Sequence, residues 1–139
     1  MKKLFMIATT AALLTGCNCQ KASLSETLTH EWDIEKIDGK VLDNKGENKA
    51  FIGIDAHKNL IYGSTGCNRL TGTLHIEGNA KKGSIDLSKV GSTRMMCADM
   101  STETQVLEAL SRVTKYSVKG NILTLTDEQG NSVIELKSK

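Results

Sequence analysis

Cys67 and Cys97 each belong to a short, glycine-containing segment, and a chain that brings these two segments together has few ways to fold. Residues 63–72 set Gly63, Gly66 and Gly72 around Cys67, Asn68 and Arg69. That is more glycine than one surface turn needs, because glycine is used where φ must be positive or where another backbone comes close. Residues 91–97 run from Gly91 through Ser92, Thr93, Arg94, Met95 and Met96 to the second cysteine. We read the two segments as one site.

The first twenty residues decide where such a site can exist. Lys2 and Lys3 precede an apolar run over residues 4–14, which is the charged and hydrophobic pattern of a secretory leader and too short for a permanent membrane span. The run ends in Leu14, Thr15, Gly16 and Cys17. Small residues just ahead of a cysteine resemble a bacterial lipobox, in which the cysteine is lipidated and the chain is cut before it. The alternative is an ordinary leader in which Cys17 and Cys19 are tail residues. On the lipobox reading, residues 1–16 are a signal peptide and residues 17–27 are a lipidated tether of small polar residues. Several acyl chains would hold the domain to a membrane essentially for good.

Removal of the leader also resets the charge. Lys+Arg falls from 18 to 16 against 16 acidic residues, so the basic bias belongs to the leader. Trp32, Phe51, Tyr62 and Tyr116 stand apart, among charges of both signs. Without a basic patch or an aromatic platform, the chain is expected to bind no nucleic acid.

Two-residue alternation dominates the rest. Trp32 and Ile34 share a face in a strand over residues 31–35, and a polar loop over 43–48 leads to a strand over 50–54. A turn over 55–59 makes a hairpin with a strand over 60–63. Further strands are expected over 73–77 and 84–88. A three-stranded meander then runs from Tyr116 through the turns at Gly120 and Gly130 to Leu136. The exception is residues 102–112, where Val106, Leu107, Leu110 and Val113 recur at helical spacing behind a capping box of Thr102 and Gln105. Glu103 lies near the positive end of this helix. The sequence therefore predicts a mainly β fold with one helix, an α+β arrangement of seven or eight short strands spaced as in a barrel or sandwich.

If Cys17 is lipidated, three cysteines remain in an oxidising compartment. Cys19 sits in the tail, so Cys67 and Cys97 are the natural disulfide pair. Zinc is the competing use, but neither cysteine has a second ligand at metal spacing, and His30, His57 and His75 are scattered over separate elements. No metal or cofactor is expected. Asn68 either fixes its own turn or touches a ligand. Arg69 and Arg94 each follow a glycine-rich turn and could together hold an anion, or each could pair with a local acid. Core filling is the expectation for Met95, Met96 and Met100. Ser64, Thr65, Ser92 and Thr93 have no histidine partner in sequence, and no Gly-x-Ser-x-Gly arrangement is present. No catalytic set emerges.

Trp32, then Gly66, Cys67, Asn68, Arg69 and Gly72, then residues 92–97 ahead of a leucine-rich helix, closely resemble the META domain of the family named for the heat-shock protein HslJ. The likeness covers roughly residues 28–136, and places the domain at 28–139. It implies a small incomplete antiparallel β-barrel with a helix after the second cysteine motif, a location in the cell envelope, and a loose link to stress. It implies no catalytic activity. The expectation is a monomeric lipoprotein on the periplasmic side of the outer membrane, with another envelope protein or a lipid tail as its partner. The alternative is a small ligand-binding domain or enzyme using Asn68, Arg69, Thr93 and Arg94.

Overall fold

The structure, a computed structural model, describes residues 23–139. The leader, Cys17, Cys19 and the first part of the tether lie outside the described residues. Nine strands form one antiparallel sheet. β1 (Glu31–Ile37) pairs along one edge with β3 (Phe51–Asp55) and with the short β2 (Lys40–Val41). The order then runs β4 (Leu60–Ser64), β5 (Arg69–Gly78), β6 (Lys82–Ser92), β7 (Lys115–Lys119), β8 (Ile122–Thr126) and β9 (Ser132–Ser138).

β9 pairs with the free edge of β1, from Trp32 opposite Ser138 to Ile37 opposite Ile134. The ring of eight strands is therefore closed, with β2 hanging from β1. This corrects the expectation of an incomplete barrel. The β6–β7 seam is short, with Lys82, Gly83 and Ser84 facing Ser117, Tyr116 and Lys115, but it is paired. Closure removes the free edges that an open sheet would expose.

Alternation puts Trp32, Ile34, Ile52, Ile54, Ile61, Leu70, Leu74, Ile85, Leu123, Leu125 and Leu136 inside the ring. Each mouth carries a helix. α1 (Leu24–Leu28) starts with a true capping box: Ser23 Oγ accepts from Glu26 N–H, and the Glu26 carboxylate accepts from Ser23 N–H. Leu28 is buried, and its carbonyl accepts the Trp32 indole N–H at 3.2 Å. Residues 24–27, read as tether, thus belong to a helix that packs on the barrel.

α2 (Ser101–Arg112) crosses the other mouth and buries Val106, Ala109 and Leu110 against the core. Its start differs from the expected Thr102 and Gln105 box. Met100 is the N-cap and gives no side-chain bond, while Asp99 Oδ1 accepts from Ser101 N–H at 2.8 Å. These bonds to Ser101 hold the Asp99 carboxyl below its ordinary pKa. Thr102 is instead taken up by packing, because its methyl lies 3.2 Å from where a Cβ on Gly66 would be.

The glycine-bounded segment at residues 63–72 is mostly strand, and only residues 65–68 form the turn. Gly72 sits in β5 because β6 crosses tightly there. A Cβ on Gly72 would overlap the Lys89 carbonyl and lie 2.7 Å from Val90 Cα. Backbone cannot step aside as a side chain can, so Gly72→Ala is expected to cost about 2 kcal/mol, read by urea unfolding. Unchanged stability would mean that the β5–β6 pairing there gives way freely.

Candidate functional site

The turn between β4 and β5 is built by its own side chains. Thr65 Oγ1 accepts from Asn68 N–H and donates to Asn68 O, both at 3.1 Å, and Thr65 N–H donates to the same carbonyl at 2.9 Å. Gly66 adopts φ +96°, a left-handed conformation that a side chain rarely takes. Thr65 is completely buried and Asn68 is 1% exposed.

Asn68 then joins three segments. Its Oδ1 accepts from Met95 N–H at 2.6 Å and from Thr93 Oγ1 at 2.8 Å. Its Nδ2 donates to Met95 O at 3.1 Å and lies 2.8 Å from both oxygens of Glu103. The amide group therefore pairs with the main chain of Met95 much as a neighbouring strand would. Its other N–H is directed at the first turn of α2. Glu103 is only 5% exposed, near the positive end of the helix dipole. Thr93 finishes the junction, donating its N–H to Arg69 O and accepting Arg69 N–H on its hydroxyl, each at 3.0 Å.

Beside this polar knot, Cys67 and Cys97 form a disulfide with their Cα atoms 6.0 Å apart. The two sequence segments thus meet as one site, joined covalently by the bridge and non-covalently by Asn68. Asn68 and Thr93 spend their polar atoms on protein partners. Arg69 and Arg94 are both exposed, and neither forms an ion pair among the described residues. Arg69 borders a groove on the outer barrel wall with Phe51, Tyr62, Thr71 and Met95; Arg94 is not part of its lining. Met95 and Met96 are 56% and 89% exposed, which corrects the expectation that they fill the core. Met100 is half-buried, and its sulfur accepts Cys97 N–H at 3.4 Å.

Glu103 and Thr65 are the members of the site that the sequence reading missed. For Glu103 the signal was present. It falls three, four and seven residues ahead of Val106, Leu107 and Leu110, on the apolar stripe, so it points inward rather than only toward the helix dipole. A carboxyl there requires a buried partner, and Asn68 is that partner.

These features define a class: a small closed antiparallel β-barrel with a helix across one mouth and a disulfide-braced corner joining a hairpin turn to that helix. The chain belongs to the META domain family, whose pattern matches residues 22–139. The match begins ahead of α1, which places that helix inside the domain. A crystal structure of a DUF4847 family protein from Bacteroides vulgatus superposes with a TM-score of 0.58 at 16% identity, covering 81% of this chain and 94% of that one. At that identity the likeness is one of fold alone. No curated protein matches the chain.

Proposed function

We propose that this protein is a lipid-anchored domain of the bacterial cell envelope, on the periplasmic side of the outer membrane, where it binds and stabilises another envelope component under stress without catalysing a reaction. The observation that carries the reading is the Cys67–Cys97 disulfide. Such a bond persists in an oxidising compartment and is rare in a reducing cytosol. An exported chain is also what Lys2, Lys3, the apolar run and Cys17 describe.

The site geometry supports binding over chemistry. Its buried side chains clamp segments together, its sulfurs hold no thiolate, and its outer wall offers a groove with the aromatic rings of Phe51 and Tyr62 and one guanidinium, that of Arg69. The test is fractionation of intact cells. After a high-salt wash, which strips proteins held by charge alone, Cys17→Ser is expected to move the protein from the membrane to the soluble envelope fraction. Membrane fractionation of that variant that survives the wash would refute the anchor.

A further inference from the structure

We infer that the barrel mouth carrying α1 is a docking face for an anionic phospholipid surface, with Lys81, Lys82 and Lys119 contacting the headgroups. Lys81 lies in the β5–β6 turn, Lys82 begins β6 and Lys119 ends β7. All three are exposed, and none forms an ion pair among the described residues. Lys58, Lys36 and Lys139 spend their charge on Asp55, Glu135 and Glu31. Lys40, Lys45 and Lys49 are as unpaired among the described residues as Lys81, Lys82 and Lys119, so it is the place of the latter three around one apolar groove that sets them apart. The acid on α1, Glu26, is engaged by Ser23, whose hydrogen bonds hold its carboxyl below the ordinary pKa.

The rim that carries these lysines is rigid. Val118 N–H donates to Lys81 O at 2.7 Å, locking the two hairpins together. The Asn79 side chain accepts from the N–H groups of Lys81 and Lys82, and Asn79 O accepts the Tyr116 hydroxyl at 2.7 Å. Between the hairpins and α1, Leu24, Ala80 and Val118 line an apolar groove edged by Lys81 and Lys119. Cations around an apolar floor match the boundary between headgroups and acyl chains.

The chain path brings this mouth to a bilayer. Leu24, the second described residue, lines the same groove, so the segment ahead of Ser23 joins the domain there. On the anchored reading above, from which this inference takes its geometry, the stretch from Cys17 to Ser23 reaches at most about 20 Å. The rim is then held close enough for surface potential to act, since that potential decays over roughly 10 Å.

The binding test needs no anchor. The full chain carrying Cys17→Ser is sedimented with vesicles of pure phosphatidylcholine, or with vesicles holding roughly one third phosphatidylglycerol. Binding to the anionic vesicles is expected, weakening as salt rises. Changing Lys81, Lys82 and Lys119 together to Gln should weaken it at least about tenfold. The same change at Lys40, Lys45 and Lys49, around the opposite mouth, should alter it less than about twofold, and the two variants share any contribution from residues 1–22. Arginine at all three rim positions should preserve binding, which guards against a folding defect in the Gln variant. Equal losses in the two Gln variants, or equal binding to both vesicle types, would overturn the inference. Failure of the anchor appears only in the cell fractionation, so the two ideas fall separately.

Discussion

Asn68→Ala is expected to lower the unfolding free energy by about 4 kcal/mol and the melting temperature by about 15 °C. The size of the effect follows from what the amide leaves behind. Met95 loses partners for both its N–H and its carbonyl, and Thr93 loses the acceptor of its hydroxyl. Glu103 remains buried without the donor that lies against both its oxygens. An uncompensated buried carboxyl is the largest of these costs, because each buried polar group left without a partner typically loses about 1–3 kcal/mol and a charged one more.

The same reasoning fixes a control. Adding Glu103→Leu to Asn68→Ala removes the stranded group, so the double variant is expected to be more stable than the sum of the single losses by about 1–3 kcal/mol. Thermal and urea unfolding of the four proteins measures both quantities. A loss under about 1 kcal/mol in Asn68→Ala would mean that the buried network is not what holds the corner.

Changing Cys67 and Cys97 together to Ser is expected to cost roughly 3.5 kcal/mol, from the chain entropy released when a loop of this length is opened. The sequence separation of 30 sets that figure. The far-UV circular dichroism should survive, because Asn68 still ties the β4–β5 turn to residues 93–95 and to α2. Before reduction, neither cysteine should react with a thiol reagent in the folded protein. Labelling of Cys67 and Cys97 in the unreduced protein, or a melting temperature indifferent to reduction, would refute the bridge as a source of stability. Restraint by sulfur and restraint by amide act on one junction, so the loss from Asn68→Ala should be larger in the serine background than in the parent.

Local patterns in the chain expose some of this and hide the rest for a physical reason. Alternation around Trp32, Ile52, Ile61, Leu123 and Leu136 gives away the inward face of nearly every strand, since that period is a property of each strand alone. The apolar stripe of α2 is equally plain, and its expected boundary at residue 102 falls one residue from the observed start. Pairing between distant strands has no such signature. The joining of β1 to β9, which turns the expected open barrel into a closed one, depends on residues at opposite ends of the domain. The cap of α2 was misplaced because the Thr102 and Gln105 spacing fits a local motif, while contact with Gly66 puts Thr102 to another use. Likewise α1 is too short to show a period, although the Ser23 and Glu26 spacing is the capping box that does form. The cysteine-bearing segments were readable as one site. Their internal division of labour was not, because the buried role of Asn68 arises only where Met95 and Glu103 come within reach.

The seam between β1 and β9 also dictates the order in which this molecule can be assembled. Hairpins such as β3–β4 and β7–β8 are local and can form early, but Trp32 cannot find Ser138 until β9, about a hundred residues further along the chain, is available to pair. Contacts so far apart in the chain slow folding. Until that last strand docks, the two edges of the sheet stand bare, and the nascent protein is most vulnerable to aggregation through them.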